Sequence, residues 1–209
     1  LVVVDHEAGT ESAVTAGGGF VSGVRVPAAS VTDHAGRDVL AEASALASEP
    51  VYADSGEVLN VTLPAAADSA QRLLIVEASA GGGPEPGIAV EALSATGEAT
   101  ALATLNPRRY WSTHVTTLAG ASAVRLRFHG AYAVRFVGVL AQVNPAVATE
   151  DSLRSAECGG VDLTAEVRDL DGREAVIPAH DTLTMSFADV FAESQAIRDW
   201  YLAVDGLPL

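Results

Sequence analysis

Cationic and aromatic side chains cluster locally in Asn106-Pro-Arg-Arg-Tyr-Trp111. Pro107 marks a strand edge or loop. On such a loop Arg108, Arg109, Tyr110 and Trp111, with His114 as a neighbour, could stack on a sugar ring or anchor a protein partner. The plain alternative is that Trp111 plugs the core while the two arginines pair with surface carboxylates. One observation separates them. Trp111 exposed beside a groove favours sugar binding, and a buried Trp111 removes the site.

A second constellation is Asp169-Leu-Asp171-Gly-Arg-Glu174. Asp169, Asp171 and Glu174 are the candidate Ca²⁺ ligands, because closely spaced carboxylates suit a hard cation. The stretch lacks the third oxygen position and the distant bidentate Glu of an EF-hand. Asp-Gly between apolar strands is foremost a hairpin turn. No other cofactor is expected.

Asp5-His6-Glu7, Asp33-His34 and His180-Asp181 each set an imidazole beside a carboxylate. Neighbours in a strand point to opposite faces, so a metal site would need distant segments to converge. The closely spaced Cys and His of structural zinc sites are missing, and these are read as surface histidines. Cys158 is the single cysteine, so no internal disulfide supports the fold. Catalytic use would need a His beside it in space, and it is read as an incidental thiol. The sequence contains no Gly-x-Ser-x-Gly elbow, Walker loop or dinucleotide fingerprint. No catalytic residue is assigned, and the protein is expected not to be an enzyme.

The element that must carry these groups is β-structure. In Val124–Leu140, apolar Val124, Leu126 and Phe128 alternate with Arg125, Arg127 and His129, the period-two pattern of a half-buried strand. Gly130-Ala131 reads as a hairpin turn, and Tyr132–Leu140 as a more apolar, central return strand. Arg125, Arg127 and Arg135 are expected to be solvated or carboxylate-paired, so this stretch defines the fold rather than the function. Further strands are expected at Leu1–Val4, Phe20–Val26, Val58–Leu63, Leu73–Ala78, Ile88–Leu93, Thr100–Leu105, His114–Leu118 and Val134–Val143. Leu73-Leu-Ile-Val76 is a continuous apolar run and should be central. Ala41–Ala47 could form a helical turn. Past a boundary in Asn144–Glu157, Val161–Val167, Thr182–Phe187 and Arg198–Val204 suggest a further β-segment. The expected organisation is a sandwich over 1–145 and a C-terminal β-segment over 146–209, which could complete the same sandwich.

The chain has 209 residues and a net charge of −15, with 12 basic residues, all Arg. Such acidity argues against nucleic acid and anionic membranes, which need a basic face. Apolar residues make up 49% and aromatics 5%, so the core must be built of Ala, Val and Leu with few aromatic anchors. No run approaches a membrane span. The chain opens Leu-Val-Val-Val-Asp without Met, as a processed or excised piece would.

Several strands occur in a familiar order. They are Leu73-Leu-Ile-Val-Glu-Ala, Ile88-Ala-Val-Glu-Ala-Leu, Leu105–Trp111, Val124-Arg-Leu-Arg-Phe and Val134-Arg-Phe-Val-Gly. Asp169-Leu-Asp-Gly-Arg-Glu, His180–Phe187 and Arg198–Gly206 follow. This order resembles the β-rich region of bacterial FG-GAP and tetratricopeptide proteins that carry an ASPIC/UnbV segment. Arg135 stands where that pattern has Asp, and its Tyr-Trp-Asp cluster is missing. More generally the order resembles a jelly-roll, galactose-binding-like sandwich. The resemblance implies no catalytic residue.

The expectation is an all-β, antiparallel, jelly-roll-like sandwich with an added C-terminal β-segment. Its expected role is that of a secreted bacterial module, extracellular or at the cell surface, serving assembly or adhesion through a protein partner or itself. The alternative is carbohydrate binding, alone or as accessory domain of a secreted enzyme. An unpaired edge strand would favour assembly.

Overall fold

The computed structural model describes residues 2–15, 18–45, 47, 49–65, 72–81, 86–150, 152–168, 177, 181–187 and 197–201. In chain order the elements are β1 (Val2–His6), β2 (Glu11–Val14), β3 (Phe20–Pro27), β4 (Ser30–Thr32), β5 (Val51–Ala53) and β6 (Val58–Thr62). Next come β7 (Leu73–Ala80), β8 (Ile88–Leu93), β9 (Ala99–Leu105), β10 (Ser112–Thr117), β11 (Ala123–Phe128) and β12 (Tyr132–Pro145). The last are β13 (Val147–Glu150), β14 (Leu153–Cys158), β15 (Val161–Asp162), the helix α1 (Thr164–Arg168), β16 (Leu183–Phe187) and β17 (Ile197–Tyr201). They fall into two compact units, one of Gly9–Ala146 and one of Leu1–Ala8 with Val147–Leu209.

The Gly9–Ala146 unit is an antiparallel, jelly-roll-like β-sandwich. One sheet runs β4-β6-β11-β8-β9 and the other β10-β7-β12-β3-β2, with β5 pairing the start of β12. Between them lie Leu59, Leu74, Val76, Ile88, Val90, Leu126, Phe128 and Val139, all but sealed from solvent. Each such side chain contributes about 1.5–3 kcal/mol when removed from water.

Leu73–Val76 occupies a central strand, as its apolar run predicts, but alternate residues serve different cores. Leu74 and Val76 face the sandwich interior. Leu73 and Ile75 face the other way and pack with Ala13, Val115, Phe136 and Leu140. That second core exists because the sheet curls. A single parallel bridge from Thr15 to Val115 brings β2, at one edge, against β10, at the other.

The stretch Val124–Leu140 does not form a hairpin. β11 pairs with β6 and β8, while β12 pairs with β7, β3 and β5 in the opposite sheet. Residues 129–131 therefore arch from one sheet to the other. The commonest tight hairpin turns need positive φ at one or both central residues, and none of these three takes it. Phe128 and Tyr132 both turn into the shared core, their ring centroids 6.0 Å apart. Residues 40–45 make turns, and the Ala43 amide donates to Val39 O as in a single helical turn, which begins before the stretch expected to hold one.

In the other unit β1 lies between β13 and β17, and β14 between β15 and β16. The N-terminal strand thus joins the C-terminal elements and not the sandwich. His6 is buried there, Nε2 3.1 Å from Asp199, where a surface histidine was expected. Val161–Val167 is extended only to Asp162, and α1 follows. The Asp162 carboxylate accepts the Thr164 amide at 2.9 Å, which turns the chain into that helix. Cys158 is buried in β14. Among the described residues no helix is long and apolar enough to cross a membrane.

Candidate functional site

The site begins with a slip in the phase of β12. Tyr132 and Val134 face the sandwich core, and so do Val137 and Val139. Strict alternation cannot supply both pairs, since a one-residue offset turns every later side chain to the opposite face. One extra residue between them resolves the conflict. Val134 lies opposite Ala78 and Phe136 opposite Glu77, and Arg135 is the unmatched residue. Such a β-bulge re-aims side chains, and here it presents Arg135 and Phe136 together on the curled sheet's outer side. The bulged backbone is tied down by the neighbouring turn. The Ala45 amide donates to Arg135 O at 2.8 Å, and the Val137 amide to Ala43 O at 2.7 Å.

Glu77 sits opposite the bulge and is clasped from both sides. Arg135 Nη2 donates to its Oε1. Arg25 Nη2, from β3, donates to Oε2 at 2.9 Å. Arg25 reaches on through Nη1 to Glu11 of β2 at 3.2 Å, so the chain of charges crosses the sheet. Both guanidinium groups also lie on aromatic rings. Arg25 is 3.7 Å from the Phe136 centroid and Arg135 is 4.6 Å from that of Trp111. Each stack is worth about 0.5–2 kcal/mol, more where water is excluded.

The Glu77 side chain is only 13% exposed. Burial alone would raise its carboxyl, but the hydrogen bonds from Arg135 and Arg25 outweigh that and hold it below the ordinary glutamate range. The hydrogen bond to Glu77 correspondingly raises Arg135. The four charged groups sum to zero.

These residues line a groove of about 870 Å³, walled further by Pro27, Pro50 and the Ser44–Ala45 turn. That volume suits a small-molecule or oligomeric ligand. Trp111 stands at its edge with 36% of its surface exposed. It is neither a core plug nor free, since Arg135 lies on its ring.

No family model and no curated protein matches the chain. Among solved structures it is similar to a carbohydrate binding module (CBM6cm-2) from Cellvibrio mixtus lichenase 5A in complex with cellotriose. Identity is 15%, the TM-score is 0.26, and the match covers 66% of this chain and 95% of that one. A score this low transfers nothing to the groove.

Of the residues singled out from sequence, Trp111 alone lines the groove. Arg108, Arg109 and Tyr110 are exposed on the loop before it, which is held where the Ala80 amide donates to Arg108 O at 2.6 Å. His114 shares a face of β10 with Ser112, whose Oγ is 2.9 Å from His114 Nε2, opposite Val115 of the second core. Burial, reinforced by the charge of Arg108, lowers the His114 pKa. Asp169, Asp171, Glu174 and His180 lie outside the described residues. Among those described, no three His, Cys, Asp or Glu side chains converge to hold a metal. His34 instead meets Glu57 at 3.1 Å, and Asp33 meets Arg37 at 3.1 Å.

Glu11, Arg25, Glu77, Arg135 and Phe136 were not singled out as site residues. The expectation that Val124–Leu140 defines the fold rather than the function did not anticipate that Arg135 and Phe136 line the groove. The signal was the spacing of Val134 and Val137 around Arg-Phe, which breaks alternation. Arg125, Arg127 and Arg135, expected to be solvated or carboxylate-paired, are carboxylate-paired. Arg135 takes Glu77, and Arg125 and Arg127 meet Glu91 at 3.8 and 3.2 Å.

Proposed function

We propose that this protein is a non-catalytic carbohydrate-binding module whose ligand lies in the groove between Trp111 and Glu11. The carrying observation is Trp111, exposed at the rim and braced by Arg135, which also clasps Glu77. An indole offers a flat apolar surface to the C–H face of a pyranose. Fixed guanidinium and carboxylate groups beside it offer donors and acceptors to the hydroxyls. All are held in place before a ligand arrives, which lowers the ordering cost of binding. Glu77, clasped by two arginines and held ionised, is poorly suited to general-acid work, which favours binding over hydrolysis.

Trp111→Ala is the test. Glycan binding that falls at least about tenfold, with the fold intact by circular dichroism, supports the reading. Unchanged binding would refute it.

A second reading, assembly through strand addition, draws on β9. This strand ends its sheet, and among the described residues its far edge pairs with nothing. Ala99–Leu105 carries no charge and no Pro, the usual protections of an edge. A bulge at its pairing with Val90–Glu91 partly offsets this by twisting the edge. Light scattering separates the readings. Assembly predicts a dimer that Ala101→Lys dissociates, whereas the binding module predicts no effect of that change on glycan affinity. The likeness to the ASPIC/UnbV-bearing region assigns no residue to either reading.

A further inference from the structure

We infer that the groove selects an uncharged, hydroxyl-rich glycan and rejects uronate-bearing or sulfated ones, with Glu77 as the residue that sets this choice. The inference rests on the carbohydrate-binding reading. Two arginines in a sugar-sized groove would ordinarily suggest an anionic ligand. Here the charge of each is already matched by a carboxylate. Arg25 is divided between Glu77 and Glu11. Arg135 is held between Glu77 and the Trp111 ring. An arriving carboxylate or sulfate would find no uncompensated positive charge and would have to sit against Glu77, which is largely buried and cannot turn away, and Glu11. The net charge of −15 opposes an anion at longer range too. A hydroxyl faces no such conflict. It can accept from a guanidinium N–H left over and donate to a carboxylate lone pair, leaving both ion pairs in place.

The experiment titrates the full chain with neutral oligosaccharides of glucose, xylose and mannose, and with oligogalacturonate and oligomannuronate. Each titration is run at about 0.05 and about 0.5 M salt. Expected is binding of at least one neutral oligosaccharide, changing less than about twofold between the two salts, because no net groove charge is screened. No uronate should bind. Glu77→Gln makes the groove positive and should raise uronate affinity by at least about tenfold. Glu11→Gln, on the more exposed carboxylate, serves where Glu77→Gln fails to fold, and should shift selectivity the same way by a smaller factor. Uronate binding by the native protein that exceeds neutral binding and collapses in high salt overturns the inference and leaves the carbohydrate reading standing. Absence of binding to every sugar in both sets overturns both.

Discussion

Arg135 lies 4.6 Å from the centre of the Trp111 ring and donates to Glu77 with the same guanidinium group. One unmatched residue in a bulge thereby joins an aromatic platform at the groove's edge to a carboxylate at its base. The two contacts are coupled, since losing the Glu77 hydrogen bond frees the arginine that braces the indole.

Glu77→Gln should therefore act at a distance. It removes the charge that two arginines share, and the cost is expected at about 1–3 kcal/mol. Urea unfolding followed by circular dichroism would measure it. Arg135→Ala in the Glu77→Gln background should cost less than in the native protein, because residues in one ion-pair network are not additive. Strictly additive losses would show that the contacts act independently.

Acid should weaken the sandwich through two groups, His114 from about pH 6.5 downward and Glu77 from about pH 4.5 downward. Glu77 titrates at 4.5 ordinarily and lower when folded, so its clasp stabilises fully above 4.5 and is lost as pH falls through the folded value. His114 also lies below its ordinary 6.5 when folded. Below 6.5 the unfolded chain therefore binds a proton that the folded one does not, and stability declines until the folded value is passed. Melting temperatures recorded across acid pH should show both limbs. His114→Gln should flatten the upper one and Glu77→Gln the lower. A single limb unaltered by either change would contradict this assignment.

Gly138→Ala should be severe for its size. A Cβ at Gly138 would lie 2.2 Å from Val26 O and 2.9 Å from Pro27 Cα, both backbone atoms that cannot step aside. β12 and β3 approach closely there, beside Arg25 and Pro27 of the groove. Overpacking of this kind costs about 1–3 kcal/mol, measurable as a lowered urea midpoint. A neutral effect would mean that the two strands separate freely.

The strands were legible because their signal is local. Alternation in Val124–Phe128 and the apolar run Leu73–Val76 each identify a strand, whatever lies beside it. Pairing was not legible in the same way. Phe128 and Tyr132 are close in sequence, which suggested a hairpin, yet both serve the one core from opposite sheets. The groove shows the same division. Trp111 stood out because Arg and Tyr precede it in sequence. Glu11, Arg25 and Glu77 come from β2, β3 and β7, and each alone looks like an ordinary charge on a wet strand face. The strand order β7-β12-β3-β2 brings them together, and it leaves no mark on any single segment.

The bulge itself can be tested by deletion. Removing Arg135 restores strict alternation. Val134 and Val137 keep facing the core, Phe136 stays opposite Glu77, and the ladder closes without a gap. The deletion forfeits one Glu77 hydrogen bond, the stack on Trp111 and the Ala45 amide bond to Arg135 O. At about 0.5–3 kcal/mol for each contact, the protein should still fold while losing the glycan affinity proposed for the groove. Removing Gly138 from the same strand makes Val137 and Val139 adjacent and forces one of these buried side chains onto the outer face. That second variant should be strongly destabilised or fail to fold. Circular dichroism melts of the two deletions side by side give the answer. If the Arg135 deletion unfolds as completely as the Gly138 deletion, then the extra residue is a structural necessity of β12 and not a device that aims a side chain into the groove.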